Sequence, residues 1–415
     1  MKLALPLSRD TVTSIGILLN IWLYGSKSYP SPRHISQKLD SMFGAQLQKY
    51  VNKNGERLII NINVKTLNDH SELNINNLDS EVVNLLFELL NNPITDEASF
   101  DSSIVEQQKK WSLKQLKRRF DSAESYAMWK CLNLSSVAGD SGIISELGYE
   151  VDYDSITGKS LFQLHEEVIK NSEVHIYITG DFMNIEDTIT SYTEVFHNFY
   201  INTFSTVNEK KINSVQENMN ETLRPKKTPK KIVEYKEINH SVLTISFLTG
   251  INLSSKNYMP LMLFIYFLWG LPKSKLLVNV REKKGLAYQI TVKHDSSMGI
   301  LVIQLGVEAK EWEMAHDAVL REIELIKNGA FDEKEFTEFR QLLKSLWIQQ
   351  MDNAETLVNL DFTRRLQGQT FQISFFLDAI DLISKEDLIE VANMVNEDCI
   401  HLLHNDYWRG SFERL

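Results

Sequence analysis

The chain passes from a helix into a strand within one stretch, Ser274-Lys-Leu-Leu-Val-Asn-Val-Arg281-Glu-Lys-Lys-Gly285-Leu-Ala-Tyr288-Gln-Ile-Thr-Val292. The apolar residues of its first part share one helical face: Leu276, Leu277 and Val280. Gly285 is the residue type that commonly ends a helix in a left-handed conformation. Beyond it, apolar and polar residues alternate as in a half-buried strand that carries Tyr288, Ile290 and Val292. Arg281 and Tyr288 therefore flank a rigid turn, here called the corner (residues 281–288), and both can point at one substrate.

The order of features around the corner occurs twice in the chain. In the first half an apolar helix is followed by Gly44 and by the strand Leu58 to Val64. In the second half an apolar helix is followed by Gly285 and by the strand Ile300 to Val307. Such self-similarity indicates a duplication. The sequence therefore predicts an α+β protein of two tandem domains of about 200 residues, each with an antiparallel sheet covered by helices on one side.

A polar segment separates the two predicted domains. Residues 206–231 are rich in Asn, Lys and Glu, and they contain Pro225 and Pro229. This composition is typical of a linker, although its lysines could also form a docking site. We therefore expect a first domain over residues 1–205, a linker over residues 206–232 and a second domain over residues 233–415.

The composition argues against several classes of function. The formal net charge of −11 argues against nucleic acid as the main partner, because phosphate binding needs a basic surface. Cys131 and Cys399 are too few for a disulfide framework or a cysteine metal site, and they indicate a reducing compartment.

The apolar run Ile15 to Tyr24 lacks a signal-peptide cleavage site, and the run Met259 to Leu271 is too short to span a bilayer. We expect no membrane span and a cytoplasmic location.

The duplicated order and the string Val-Arg281-Glu-Lys-Lys-Gly-Leu-Ala-Tyr288 resemble the pitrilysin/insulinase family of zinc metallopeptidases. That family also includes the mitochondrial processing peptidases and the core proteins of the respiratory bc1 complex. The resemblance covers nearly the whole chain and is strongest over residues 240–350. It includes the family's C-terminal signature, an Arg followed seven residues later by a Tyr near a Gly, which this chain has at Arg281, Gly285 and Tyr288.

The family's zinc motif does not occur where the resemblance would place it. The motif is His-x-x-Glu-His on the first apolar helix, and its three positions correspond to Gly16, Leu19 and Asn20. Zinc needs imidazole ligands and a glutamate that activates its water, and these residues supply neither. The family's third ligand would correspond to Glu106, which we interpret as an ordinary surface residue. We therefore expect no metal or other cofactor in this chain, and Zn in a partner subunit.

The histidines give no second metal motif. His401 and His404 have i, i+3 spacing, but the sequence shows no acidic third ligand near them. His165 and His175 lie on a predicted helix and a predicted strand without ligand spacing. We interpret all four as structural.

The resemblance also implies a partner. In bacterial two-subunit members of the family, one chain carries the zinc motif and the other carries only the Arg/Tyr pair, and this chain resembles the second kind. It implies a heterodimer with a zinc-motif-bearing paralogue that processes or degrades peptides. In this interpretation Arg281 binds the peptide backbone, and Tyr288 stabilises the oxyanion at the partner's zinc site. This chain would not be a peptidase by itself.

Other interpretations of the same residues remain open. The chain could be a catalytically inactive scaffold comparable to the bc1 core subunits, or a protein that binds peptides without cutting them. The Arg/Tyr pair itself has a simpler interpretation, in which Arg281 forms an ion pair and Tyr288 fills the core.

Overall fold

The computed structural model describes residues 1–67, 78–118, 121–135, 144–180 and 228–405, and the single positions 186, 189, 190, 193 and 197. The chain divides into two compact units. The first comprises Met1–Arg118 and Ile144–Asn213, and the second comprises Arg119–Ile143 and Ser214–Leu415.

The part of the chain before residue 181 forms the following strands and helices in order: β1 (Lys2–Pro6), α1 (Val12–Trp22), α2 (Pro32–Ser41), β2 (Gln46–Asn54), β3 (Arg57–Lys65), α3 (Leu78–Asn91), β4 (Thr95–Asp96), β5 (Ser99–Phe100), α4 (Ser102–Arg118), α5 (Ala123–Leu134), a 3₁₀ turn (Glu150–Ser155), α6 (Gly158–Asn171) and β6 (Glu173–His175).

The part from residue 228 onward continues in order: β7 (Lys230–Lys236), β8 (Ser241–Leu248), α7 (Tyr258–Leu268), a π-helix (Leu276–Glu282), β9 (Gln289–Asp295), β10 (Ile300–Val307), α8 (Trp312–Lys327), α9 (Glu333–Gln350), α10 (Ala354–Leu366), α11 (Ile373–Asp381), α12 (Lys385–Met394) and β11 (Asn396–Asn405).

The first sheet is antiparallel throughout, in the order β2-β3-β1-β6. Alternate residues of β3 point to the helices, because successive side chains of a strand face opposite sides of a sheet. Leu58, Ile60 and Ile62 thus form one core with residues of α1 and α6. Trp22 of α1 is fully buried there, so α1 is a central element of the first unit.

The second sheet repeats this order as β9-β10-β8-β11 and adds β7 at the edge. All its neighbouring strands are antiparallel except β7 and β11, which are parallel. Helix α7 is apolar on nearly all sides because α9, α11 and α12 pack around it. The predicted α+β fold with a tandem duplication is confirmed, and the parallel pair is an addition to it.

Strands β8 and β10 of this sheet are buried along their whole length. One set of alternate residues faces the large core around α7, and the other set faces away from it. Helix α5 covers this second face: Ala127 contacts Val242 and Leu403, while Met128 and Leu132 pack against Ile300 and its neighbours. The sheet therefore has helices on both faces, whereas the sequence had predicted them on one side.

Polar contacts fix α5 to the same sheet. The hydroxyl of Tyr126 donates to Glu234 at 2.9 Å, and the amide of Gln304 donates to the backbone oxygen of Glu124 at 2.9 Å. The hydroxyl of Ser135 donates to the buried carboxylate of Asp398 at 2.5 Å. The sequence analysis had placed α5 within the range of the first domain, but by its contacts it belongs to the second unit.

The predicted linker is only partly described. Residues 206–227 and Asp181 lie outside the described residues. Strand β7 begins at Lys230, inside the predicted linker, because its backbone pairs with β11. Strand β6 ends at His175, the histidine for which the sequence predicted a strand. None of the helices in the described residues has both the length and the apolar character that crossing a bilayer requires.

Replacing Ala127 by Glu tests the packing of α5 on the second sheet. Ala127 is fully buried, so the new carboxylate would lose its hydration without gaining a partner. We expect the free energy of unfolding to fall by more than about 2 kcal/mol, measured by urea denaturation. Ser125→Glu is the matched control, because Ser125 is exposed on the same helix. Equal effects of the two substitutions would contradict this packing.

A buried histidine makes the first unit sensitive to acid. The indole Nε1 of Trp22 donates to Nδ1 of His165 at 2.9 Å, so the imidazole accepts a hydrogen bond in the core. Burial lowers the pKa of His165 to about 4 from its ordinary value of 6.5. The unfolded chain therefore takes up a proton at higher pH than the folded one. The stability that depends on the neutral imidazole of His165 is fully present above about pH 6.5 and is lost as the pH falls toward 4.

Replacing His165 by Gln should flatten this pH dependence. Protonation of this one imidazole in the unfolded chain lowers the free energy of unfolding by an amount on the order of 3 kcal/mol between pH 6.5 and 4. Gln keeps a hydrogen-bond acceptor but cannot gain a charge. The free energies of unfolding of variant and wild type, measured by urea denaturation at several pH values, should differ by a constant amount above pH 7. Below pH 6 this difference should shrink. Parallel curves down to pH 4 would contradict the assignment.

Candidate functional site

The backbone of the corner is fixed by a π-helix and a glycine. The amide of Lys283 donates to the carbonyl of Val278 at 2.9 Å, a span of five residues that is rare in proteins. Gly285 then has φ +64°, a left-handed conformation that other residues adopt at a cost. The next residues, Leu286 and Ala287, are buried and anchor the turn in the core.

Arg281 lies at the end of this π-helix. Its side chain is exposed and, within the described residues, makes no hydrogen bond or ion pair. Its backbone carbonyl accepts from the amide of Gly285 at 3.2 Å, so the turn restrains its main chain. The forked donors of the guanidinium are thus available to an external acceptor.

Tyr288 lies directly before β9, which begins at Gln289. The sequence had placed it on the strand, on the face of Ile290. In the structure Ile290 is buried, whereas Tyr288 is 53% exposed. The amide of Tyr288 donates to the carbonyl of Gly306 at 2.9 Å, and its hydroxyl donates to the carboxylate of Glu308. Its ring therefore stands at the surface and does not fill the core.

Tyr288 also borders a pocket of about 230 Å³ in the second unit. The pocket is mostly polar, and its lining is as follows: Asn239, His240, Ser241, Tyr288, Val307, Glu308, Ala309 and Asn405. Arg281 is not among these residues. The structure thus places Tyr288 at a small polar pocket and Arg281 on the surface at the other end of the corner.

The sequence analysis missed His240 and Glu308. His240 packs edge-on to Tyr288, with 6.3 Å between ring centroids and 74° between ring planes. Gly306 faces His240, and a Cβ on Gly306 would lie 3.1 Å from the imidazole Cδ2. A lone glycine in a largely apolar strand indicates a close approach of this kind, so Gly306 was the signal in the sequence.

The three positions that correspond to the zinc motif lie on α1. A Cβ on Gly16 would meet no atom within 4 Å, and Leu19 is a buried apolar residue. The amide of Asn20 donates to the hydroxyl of Ser112 on α4 at 3.0 Å. None of these groups is a strong zinc ligand, so the residues at these positions do not fit a zinc ion.

The remaining sequence candidates make local contacts. Glu106 is exposed and pairs with Lys109, at 2.8 Å between Oε1 and Nζ. His401 Nε2 lies 3.2 Å from Oε2 of Glu234, an acidic neighbour that the sequence did not reveal. The ring of His404 instead packs beside Tyr235. Among the described residues, no group of three or more His, Cys, Asp and Glu side chains is arranged to hold a metal ion.

Residues 155–343 match the family model described as Peptidase M16 inactive domain. The resemblance to the pitrilysin/insulinase peptidases is thereby confirmed. The matched residues include the whole corner and both strands, β9 and β10, that position Tyr288.

Similar proteins cover almost the whole chain. A Bacillus subtilis (strain 168) protein named "Probable inactive metalloprotease YmfF" is 24% identical over 404 residues, which cover 97% of this chain and 91% of the relative. The structure of a conserved protein from Enterococcus faecalis V583 superposes with a TM-score of 0.84 at 21% identity, covering 98% and 92% of the two chains. A protease from Helicobacter pylori gives a TM-score of 0.71 at 14% identity, covering 97% and 92%. These solved structures share the fold of this chain.

Two glycine-to-alanine substitutions should have opposite effects on stability. Gly285→Ala forces a Cβ into a left-handed conformation and should lower the free energy of unfolding by about 1–2 kcal/mol. Gly16→Ala lies within helix α1 beside open space and should raise it by about 0.5–1 kcal/mol. Urea denaturation of both variants measures the difference. Two effects of the same sign would contradict the backbone described for the corner or for α1.

Proposed function

We propose that this chain is the subunit without zinc in a two-subunit M16 metallopeptidase, in which it supplies Arg281 and Tyr288 to a peptide bound at the partner's zinc. The observation that supports this best is the exposure of both side chains on one rigid corner. Within the described residues Arg281 has no internal acceptor, and Tyr288 lies outside the core. In a purely structural Arg/Tyr pair, Arg281 would be expected to form an ion pair and the ring of Tyr288 to fill the core.

Arg281 would hold the peptide by its backbone. An extended peptide presents carbonyl oxygens, and a guanidinium can donate two parallel hydrogen bonds to such acceptors. The restrained main chain at Gly285 limits how far the guanidinium can move. This arrangement fixes the register of the peptide more than it selects its sequence.

Tyr288 would donate its hydroxyl hydrogen bond to the oxyanion that forms when the peptide carbonyl is attacked. The partner's zinc would supply the attacking hydroxide. In the free chain the phenol donates to Glu308, so the substrate oxygen must replace that carboxylate as acceptor. A phenol at a half-exposed position can make this exchange without rearrangement of the core.

The residues on α1 are the reason for assigning zinc to the partner. Gly16, Leu19 and Asn20 do not fit the ion, and Asn20 already bonds to Ser112. The similar protein from B. subtilis is named an inactive metalloprotease, which agrees with a chain that needs a partner. We place the complex in the cytoplasm, where the free cysteines Cys131 and Cys399 would stay reduced.

Replacing Tyr288 by Phe tests the oxyanion role. The chain would be mixed with a family paralogue that carries His-x-x-Glu-His, and cleavage of an unstructured peptide library would be followed by mass spectrometry. We expect Tyr288→Phe to lower kcat about 100-fold or more, since one donor in an oxyanion site typically contributes this much. Tyr235→Phe is the matched control, because Tyr235 is also about half exposed in the second unit.

Arg281→Lys in the same assay tests the binding role. Lysine keeps the charge but loses the fork, so KM should rise by about tenfold, the size expected for a hydrogen bond to a charged group. Arg321→Lys, at an exposed position of α8, should leave KM unchanged. If the mixture forms a stable complex and cleaves no peptide, the scaffold interpretation holds. If it binds peptides but leaves them intact, the chain is a peptide-binding protein.

A further inference from the structure

The surroundings of Tyr288 carry an inference that rests on the proposed function and extends it. We propose that Glu308 and His240 are positioning residues that hold the Tyr288 side chain from two sides, and that Gly306 and Glu124 fix His240 in place. None of these four residues belongs to the Arg/Tyr signature. They come from β10, from the loop before β8 and from α5, and the second unit brings them together.

Glu308 sets the direction of the hydroxyl. It follows β10 directly, and its carboxylate accepts the hydrogen bond from Tyr288. Both side chains are exposed, so the bond does not serve to satisfy a buried group. An exposed hydroxyl would otherwise bond to water and leave the ring free to adopt other rotamers. In the free chain the carboxylate therefore selects one rotamer, with the phenol at the rim of the pocket, and from this position the hydroxyl transfers its hydrogen bond to the substrate oxygen.

The imidazole of His240 restricts the position of the Tyr288 ring from another side. Its imidazole lies edge-on to the phenol ring, an arrangement that aromatic rings favour. Nε2 of His240 is 3.2 Å from Oε1 of Glu124 on α5. The hydroxyl of Ser122 donates a hydrogen bond to the carboxylate of Glu124 and lowers the pKa of that carboxyl, which keeps Glu124 ionised.

Gly306 connects the two contacts. Its carbonyl accepts the amide of Tyr288 at 2.9 Å, which fixes the backbone of the tyrosine. Its missing Cβ leaves the space that the imidazole of His240 occupies, since a Cβ would lie 3.2 Å from Nε2. One residue therefore locates both the tyrosine and the ring beside it. A Cβ at position 306 would also lie 3.8 Å from the backbone nitrogen of Gln289, which the paired strand β9 holds in place. A larger residue at position 306 would therefore have to displace the imidazole of His240.

The first test uses the chain alone and does not depend on activity. Tyrosine labelled with ¹³C at Cζ reports hydrogen bonding of its hydroxyl, and the Tyr288 resonance is assigned by its disappearance in Tyr288→Phe. Glu308→Ala should shift this resonance, and Glu308→Gln should largely restore it, because the amide oxygen accepts the same bond. Glu313→Ala is the matched control, since Glu313 is a largely exposed residue at the start of α8.

The second test measures kinetics in the complex with the zinc-bearing partner. Glu308→Ala and His240→Ala should each lower kcat about tenfold with KM unchanged within about twofold, as expected when a reacting group is misplaced. In a Tyr288→Phe background, Glu308→Ala should have no further effect, because the residue acts only through the hydroxyl. Glu308→Gln should recover most of the lost kcat.

The two tests separate the two proposals. If Tyr288→Phe leaves cleavage unchanged while Glu308→Ala still shifts the resonance, the proposed function is wrong and the positioning role stands. If Tyr288→Phe lowers kcat while Glu308→Ala and His240→Ala change neither the resonance nor kcat, the positioning proposal is overturned. A loss of kcat in Glu308→Ala that persists in the Tyr288→Phe background also overturns it, because Glu308 would then act independently of the hydroxyl.

Discussion

Burial of β8 and β10 on both faces is the constraint on which the second unit depends. A strand with apolar side chains on both faces needs cover on both sides, because each uncovered apolar side chain would expose area worth about 25 cal/mol per Å². The helices around α7 cover one face. The other is covered by α5, which comes from a stretch of chain that precedes the end of the first unit. The second unit is therefore assembled from two separate stretches of sequence.

The local periodicity of the sequence predicted the central strands almost residue by residue. The strand over Ile300–Val307 has the predicted bounds, and the strand predicted over Leu58 to Val64 extends one residue further at each end, since β-branched and apolar residues dominate both. The partner of α5 could not be predicted in the same way. Its buried positions, Ala127 and Cys131, are small and sparse, and a helical pattern does not identify the sheet that it covers. The first three residues of strand β7, Lys230 to Ile232, were interpreted as linker because lysine is common both in edge strands and in linkers.

The residues of the candidate site also differ in whether they could be predicted from the sequence. Arg281 and Tyr288 were predictable because they lie close together in the sequence, at fixed offsets from one glycine. Glu308 and His240 were not, because only the register of β9 and β10 and the fold of the unit bring them to the tyrosine. Contacts between residues far apart in sequence leave little local trace. The exception here is Gly306, whose position within an apolar strand indicates a close approach before the approaching group is known.

The duplication offers an internal comparison for the corner. In the first unit Phe43 and Gly44 have φ of +55° and +75°, and the amide of Gly44 donates to the carbonyl of Leu39, again across five residues. The turn between helix and strand therefore forms there too. At the offsets from Gly44 that Arg281 and Tyr288 have from Gly285, the first unit has Asp40 and Leu47.

The turn therefore forms in both units with a glycine that is followed by a buried residue, Ala45 or Leu286, and in the first unit it forms with neither a guanidinium nor a phenol. Folding alone does not explain why the second unit has both, on side chains that point to solvent and not into the core. An exposed donor pair that the fold does not require is more simply explained by an external acceptor. In the function proposed above, that acceptor is a peptide bound at the zinc of another subunit, since the residues at the corresponding positions of α1 do not fit a zinc ion.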